Sequence, residues 1–295
     1  MAASTLRASA QELAHRAFVA YLRHFPVEKG KQRLLSALWK PLAFGNYHRQ
    51  GRLRLADVRV SCDVRGFVQR QLYYLGTYEH PSSRKWLELA ADARVVFDVG
   101  ANVGLYSLLT AAVNPACRVH AFEPTAAIHA TLVENIRLNR FEARIVANQA
   151  GIGRISGPAF LNECRGTDGE NDGMNYMSSE HREPVGESIA AFSLDDYCAE
   201  RAIERIDLLK MDIEGGETEA LLGARRLLER KAITAMCLET IGWSAERSGH
   251  SVAELVELLR DAGYVLYELH GAHLVGVPAT TLPTSDNLYA FARPR

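Results

Sequence analysis

The stretch Val95-Val-Phe-Asp98-Val-Gly100-Ala-Asn102-Val-Gly104-Leu-Tyr-Ser-Leu-Leu109 constrains this chain more than any other. β-Branched and aromatic residues run to Val99, a glycine-rich turn follows, and an apolar helical run opens near Gly104. A strand, turn and helix in this order bring backbone N–H groups close to a ligand at the carboxyl edge of a sheet. The pattern then repeats. Strands are predicted at 94–99, 117–123, 143–149, 206–212 and 232–239, with helices at 104–112, 126–139, 217–229 and 251–262 between them. Runs 264–270 and 287–293 read as a closing pair of strands. Continuous apolar strands alternating with helices point to an α/β fold with a mostly parallel sheet covered by helices on both faces.

Ahead of this lie two helical stretches, 9–25 and 31–44. The first spaces Leu13, Ala14, Ala17, Phe18, Tyr21, Leu22 and Phe25 in steps of three and four. Leu53, Leu55, Val58 and Val60 alternate as a strand would, and 82–91 reads as a helix. The expected organisation is a helical basic extension (1–50), a lead-in (51–90) and a main domain (91–295). That domain carries a long polar, glycine-rich insertion at 163–188, placed where a substrate lid would sit.

Charge is unevenly spread. Residues 1–90 hold 15 Lys and Arg against 6 Asp and Glu, whereas 91–295 hold 19 against 29. A basic head attracts anionic lipid, a diphosphate-linked substrate or nucleic acid. No stretch reaches the ~18 apolar residues of a membrane span, and the N-terminus lacks the apolar centre of a secretory signal. The expectation is a cytoplasmic protein with an option of peripheral membrane contact through residues 1–90. Five widely spaced cysteines without a CxxC read as free thiols rather than a disulfide framework or zinc site.

Two cofactor types compete for the turn. Dinucleotides want G-x-G-x-x-G, whose middle glycine admits the pyrophosphate, but that position is Asn102. S-adenosylmethionine has no phosphate and carries a sulfonium and an ammonium, which Asp98 is placed to favour directly or through water. Glu123 ends the next strand and can accept hydrogen bonds from ribose hydroxyls. Asp98, Gly100, Asn102, Gly104 and Glu123 therefore read as a methyl-donor site rather than a nicotinamide site. Asn148, at the end of the third strand, is placed either to contact adenine or to serve as an ordinary turn residue.

Together with Phe122-Glu123-Pro124 and Ile206-Asp-Leu-Leu-Lys210-Met-Asp212-Ile-Glu214-Gly-Gly-Glu217, the turn resembles the FkbM-type family of S-adenosylmethionine-dependent methyltransferases. Supporting matches are Gly76-Thr-Tyr78-Glu79, Asn135-Ile-Arg-Leu-Asn139 and Leu194-Asp195-Asp196-Tyr197, so the resemblance covers about 70–290. It implies a class I methyltransferase (Rossmann-like) fold with a seven-stranded, mostly parallel sheet and one antiparallel strand. It also implies methyl transfer to a hydroxyl of a sugar, glycan, glycolipid or natural product. The stretch Asn171-Asp-Gly-Met-Asn175-Tyr176-Met-Ser178 departs from the serine-rich stretch of many relatives, which bears on the acceptor and not on the donor.

The chemistry gathers at the strand ends. An alcohol is a poor nucleophile until its proton is being removed, and a carboxylate about 3 Å away serves as base or orients it. Asp212 is the first candidate and Glu214 the second, with helix capping the competing role for Glu214. Lys210 shares a strand face with Asp212 and either pairs with it or steadies a developing alkoxide. Glu239 closes strand 232–239 toward the same pocket. Asp212 and Glu239 are hard oxygen ligands of the kind magnesium or calcium takes. No His joins them at a suitable spacing, so a divalent metal is compatible but not favoured. Asn175, Tyr176 and Trp243 are acceptor candidates, the aromatics as stacking planes for a sugar ring. The competing functions are a nucleic-acid methyltransferase docked by the basic head and a non-catalytic scaffold. Oligomeric state is not read from the sequence.

Overall fold

The structure is a computed structural model that describes residues 2–25, 30–162, 176–178, 187–242 and 249–294, with the side chains of 2–8 and 176–178 left aside. Contacts divide the chain into two compact units, Met1–Tyr78 and Glu79–Arg295. The expected lead-in 51–90 is thus shared between them.

The first unit runs α1 (Ala2–His24), α2 (Lys31–Ala43), β1 (His48–Arg52), β2 (Arg59–Asp63) and α3 (Phe67–Leu75). The alternation Leu53–Val60 does not form one strand. It spans the turn of a hairpin in which β1 and β2 pair antiparallel from His48↔Asp63 to Arg52↔Arg59. Leu53, Val58 and Val60 are buried, Val60 inside β2, and Leu55 in the turn is half-buried. The apolar residues of α1 also divide between two faces. His15, Phe18 and Leu22 are buried, whereas Leu13, Ala17, Tyr21 and Phe25 face solvent. His15 holds α1 to its neighbours, with Nδ1 2.7 Å from the Leu42 carbonyl and Nε2 2.9 Å from the Tyr73 hydroxyl. A carbonyl can only accept, so Nδ1 donates, and burial lowers the imidazole pKa.

The second unit opens with α4 (His80–Ala90) and continues β3 (Val95–Val99), α5 (Leu105–Val113), β4 (Arg118–Phe122), α6 (Ala126–Leu138) and β5 (Ile145–Asn148). A detour follows: β6 (Gly151–Ile152), β7 (Gly157–Asn162), β8 (Tyr176–Ser178) and β9 (Glu187–Phe192). The chain returns through α7 (Leu194–Glu200), β10 (Ile206–Met211), α8 (Glu217–Leu222), α9 (Arg225–Glu229) and β11 (Ile233–Glu239). It ends with α10 (Val252–Asp261), β12 (Val265–His270), β13 (His273–Gly276) and β14 (Asn287–Phe291).

The main sheet has the order β13-β12-β14-β11-β10-β3-β4-β5. Strands β5, β4, β3, β10 and β11 are mutually parallel, and β14 runs antiparallel to both neighbours. Seven strands match the expected number. The eighth, β13, is a four-residue, mostly exposed edge strand that pairs with β12 as a hairpin, too short to be announced by the sequence. The predicted helix 217–229 is two helices separated by Gly223, where an added Cβ would lie 2.3 Å from the Gly153 carbonyl oxygen.

Strand β3 is buried from Val96 to Val99, as a central strand covered on both faces must be. One face packs Phe97 and Val99 with Phe122, Tyr197, Leu209, Met236, Leu255 and Val256. The other presents Asp98 beside its register partner Lys210, toward α5, where Ser107 and Tyr106 meet them. Behind α5, the buried Trp86 indole of α4 donates to Thr110 Oγ1 at 2.8 Å.

Helix starts follow their sequence signals. Ser251 and Glu254 make a reciprocal capping box on α10. Ser193 accepts from the Asp196 N–H on α7. Asp195 accepts from the N–H groups of Arg226 (2.9 Å) and Leu227 (3.0 Å), so this member of the Leu194–Tyr197 motif caps α9.

The detour forms its own sheet in the order β6-β9-β7-β8, with β6 parallel to β9 and β7 antiparallel to β9 and β8. Ala159, Leu161, Ile189 and Ala191 make its small core. Much of the insertion 163–188 lies outside the described residues; its described flank is sheet. Among the described residues no helix is long and apolar enough to cross a membrane. The four described cysteines, 62, 117, 198 and 237, are buried free thiols.

Candidate active site

The chain leaves the sheet centre at β3, steps outward to β5, and returns to β10 on the other side of β3. The carboxyl ends of β3 and β10 therefore form the switch point at which open α/β sheets take ligands. The two loops meet there directly. An added Cβ at Gly100 would lie 1.9 Å from the Asp212 carbonyl oxygen, and Gly100 has φ +79°. The Asp212 N–H donates to the Val99 carbonyl at 3.0 Å. Only a residue without a side chain fits position 100.

On the donor side, Gly100 and Ala101 donate to the Phe122 carbonyl at 3.0 and 2.9 Å, which curls the turn over the end of β4. Asn102 takes a left-handed φ of 50°, and its Oδ1 accepts the Val103 N–H at 2.8 Å. Its side chain thus shapes the turn. Gly104 (φ +97°) opens α5, where an added Cβ would meet Leu132 Cδ1 of α6 at 2.6 Å. Buried Asn135 ties α6 to the turn through Nδ2 and the Val103 carbonyl, 3.0 Å apart. Asn139 in turn donates to the Asn135 carbonyl. These contacts explain the two asparagines of the 135–139 motif.

Asp98 is buried. Its Oδ2 accepts from the Ser107 N–H (2.9 Å) and hydroxyl (2.5 Å), while Oδ1 has no protein partner. Burial pushes its pKa up to about 6, against the lowering effect of the Ser107 hydrogen bonds. Glu123 accepts the Asn102 N–H at Oε2 (3.1 Å) and the Thr125 N–H at Oε1 (2.9 Å). Burial pushes it to about 7. The Thr125 side chain hydrogen-bonds this carboxylate as well, which leaves one of its roughly four lone-pair sites. An orphaned buried carboxylate oxygen, a carboxylate with acceptor capacity left and two positions without Cβ fit a cationic nucleoside with free ribose hydroxyls.

Asn148 behaves differently. Its Nδ2 donates to the carbonyls of Ala121 (3.0 Å) and Val146 (3.3 Å), and its Oδ1 accepts from the Tyr197 hydroxyl at 3.1 Å. The side chain is spent on fastening β5 to β4 and α7, so an adenine contact through it does not follow.

The acidic side gathers the four residues expected there. Lys210 Nζ lies 3.2 Å from Asp212 Oδ2. Its side chain is 1% exposed and that of Asp212 26%. Burial alone would lower the Lys210 pKa. The Asp212 carboxylate, with Cys237, Tyr106 and Glu79 nearby, reverses this and holds it well above the usual lysine range. Asp212, Glu214 and Glu239 each place a carboxylate oxygen within 4.8 Å of the others. Burial, reinforced by Asp212, Glu214 and Glu217, pushes Glu239 up to about 10. Its buried Oε2 has no protein partner. Glu217, buried and raised to about 7 by burial, accepts the Ile213 N–H at 2.9 Å and shapes the loop.

The three carboxylates have the spacing and hardness for magnesium or calcium. Lys210, 3.2 Å from Asp212, already supplies one positive charge to this group.

Sequence reasoning missed three participants. Ser107 anchors Asp98. The Tyr106 ring centroid lies 5.4 Å from Lys210 Nζ, and its hydroxyl donates to Glu79 Oε2 at 2.9 Å. Glu79 closes the Gly76–Glu79 motif, which was legible as a motif but not as part of this wall. Asn175 and Trp243 lie outside the described residues, as does the side chain of Tyr176.

Residues 98–266, more than half of the chain, match the family model of the methyltransferase FkbM domain. The chain belongs to the FkbM methyltransferase family. The region so matched is a methyltransferase domain. This FkbM domain is 34% identical over 152 residues to the 31-O-demethyl-FK506 methyltransferase FkbM of Streptomyces tacrolimicus, covering 44% of this chain and 58% of that protein. It is 26% identical over 151 residues to the 2-O-methyltransferase NoeI of Sinorhizobium fredii, covering 46% and 59%. The AMB antimetabolite synthetase AmbE of Pseudomonas aeruginosa is 29% identical over 217 residues, covering 63% of this chain and 10% of that protein. The chain thus spans less than two thirds of the length of these relatives. Among solved structures, the methyltransferase FkbM of Methylobacillus flagellatus superposes with a TM-score of 0.43 at 21% identity, covering 68% of this chain and 44% of that one.

Proposed function

We propose that this FkbM-family protein transfers a methyl group from S-adenosylmethionine to a hydroxyl of a small molecule, a sugar-bearing one or a natural product. The observation that carries the reading is the contact between the donor turn at Gly100 and the acidic loop at Asp212. Whatever binds the turn lies beside a carboxylate that can take a proton. Two relatives, a 2-O-methyltransferase and a 31-O-demethyl-FK506 methyltransferase, support oxygen as the acceptor atom.

S-adenosylmethionine, when bound, supplies an electrophilic methyl group on a sulfonium. Asp98 and Glu123 hold it by charge and ribose hydrogen bonds. Asp212 accepts the proton of the acceptor hydroxyl as the new C–O bond forms and the C–S bond breaks, with S-adenosylhomocysteine as the second product. Lys210 keeps Asp212 oriented and stabilises its charge. Glu239, protonated at neutral pH, donates a hydrogen bond to the acceptor and fixes its approach for in-line displacement. Glu214 lines the same pocket.

Calorimetry with S-adenosylmethionine and S-adenosylhomocysteine tests the donor. Micromolar binding of both is expected, and a flat trace with both rejects the reading. Acceptor screening by methyl transfer from labelled donor, beginning with lipid-linked and nucleotide sugars, then tests the hydroxyl.

A further inference from the structure

Helices α1 and α2 of the first unit have outward faces that the methyl-transfer reading does not use. In α1 the exposed stripe holds Leu13, Ala17, Tyr21 and Phe25, flanked by Arg16 and His24. Leu13 is 70% exposed, and Tyr21 and Phe25 are 41% and 44% exposed. In α2, which packs on α1, it holds Arg33, Ala37, Lys40, Pro41 and Phe44, the last at the helix end. The two helices contain one acid, Glu12. It is engaged by Arg16 at 3.1 Å and Arg49 at 3.2 Å. The sequence to Tyr78 carries 13 Lys and Arg against 4 Asp and Glu, so the whole basic excess of residues 1–90 sits in this unit.

We propose that these two faces dock on a bilayer surface bearing anionic phospholipid. Helices with apolar side chains beside cations lie in the interfacial plane, where the apolar groups enter the headgroup boundary and the cations meet lipid phosphates. Charge decides among the occupants. A second copy would bring two strongly basic units together, whereas an anionic bilayer complements them. Nucleic acid would leave the aliphatic stripe of Leu13 and Ala17 without a stacking partner, and Tyr21 already stacks on Phe25 at 4.8 Å between ring centroids.

The test is flotation of the full chain with vesicles of pure phosphatidylcholine or of phosphatidylcholine with about one third phosphatidylglycerol, an anionic fraction chosen to give a surface potential of the biological kind. Partition to the anionic vesicles alone, weakened by salt, is expected. Tyr21→Ser with Phe25→Ser, and separately Arg33→Glu with Lys40→Glu, should each reduce it by about tenfold or more. These side chains face solvent, so melting temperature and S-adenosylmethionine binding should stay as in the parent chain. The proposal stands apart from methyl transfer, because vesicle partition needs no donor. Absence of partition overturns it, as does equal partition to both vesicles or partition unchanged in both variants. A lipid-free dimer broken by Tyr21→Ser with Phe25→Ser would assign the stripe to a second copy. RNA binding without vesicle binding, lost in Arg33→Glu with Lys40→Glu, would assign the charge to nucleic acid.

Discussion

Lys210 and Asp212 form an ion pair with one partner enclosed and the other open. The ammonium is sealed in the sheet, 3.2 Å from a carboxylate that reaches solvent. Asp212→Asn should therefore spare donor binding, with the dissociation constant for S-adenosylmethionine moving by less than about threefold, while turnover falls ~10²–10⁴-fold. Lys210→Met should lower stability by about 2–4 kcal/mol. That is less than the cost of splitting a wholly buried pair, because Asp212 is partly exposed. The double variant should recover part of the loss, read as a melting temperature above that of Lys210→Met alone. A collapse of donor affinity in Asp212→Asn would remove the base assignment.

Glu239 gives a pH signature. Its folded-state pKa of about 10 stands above the ordinary 4.5, so the folded protein holds a proton that the unfolded chain has lost through the range between. Stability therefore falls as pH rises from about 5 toward 10. Glu239→Gln removes the titrating group, keeps a hydrogen-bond donor, and should raise the melting temperature at pH 8 relative to the parent. Each ~1 kcal/mol gained is worth roughly 2–4 °C for a domain of this size. At pH 4.5 the two proteins should melt nearly together. Thermal scans across that range check the sign.

Donor binding should have its own pH limb. Asp98 and Glu123 are raised to about 6 and about 7, and both favour the donor when ionised. Below those values a proton must leave before the cation or the ribose hydroxyls are held. The S-adenosylmethionine dissociation constant should rise by up to about tenfold per pH unit per group below pH 6. Asp98→Asn should weaken binding at pH 8 by about tenfold or more and flatten the lower part of the limb. Calorimetry from pH 5 to 8 measures both.

Gly100→Ala tests the contact between the loops. The added methyl would sit inside the Asp212 carbonyl and force a left-handed backbone on alanine. A loss of about 3 kcal/mol or more is expected, seen as a melting temperature lower by roughly 6–12 °C. Donor binding and turnover should fall together, since both loops move.

How much of this was legible in the sequence depends on how local each determinant is. The turn from Asp98 to Gly104 announces itself, because φ beyond zero at two positions demands glycine and the strand before it is continuous and apolar. Asp212 and Glu239 were legible as strand ends for the same reason. Lys210 and Asp98 are register partners across β3 and β10, a relationship that only the sheet order supplies. Tyr106 and Glu79 lie 27 positions apart and meet through helix packing, so no local pattern could join them. A strand-end asparagine such as Asn148 looks the same whether it meets adenine or fastens two strands, and the partners of its side chain appear only once β4 and α7 are in place. The run from Leu53 to Val60 reads as a strand because Leu53 and Leu55, which lie in the turn between β1 and β2, are apolar. The two-faced character of α1 was hidden by its periodicity, which records apolar spacing without saying which apolar residues are covered.

The parallel pairing of β6 with β9, Gly151 with Ala191 and Ile152 with Phe192, makes the chain enter and leave its detour through adjacent strands. Those strands form the rim of a socket. The two ends of the detour therefore stay one strand spacing apart, whatever length of chain runs between them. A chimera that keeps 151–156 and 188–192 and takes the stretch between them from a relative should retain donor affinity, read by calorimetry with S-adenosylmethionine.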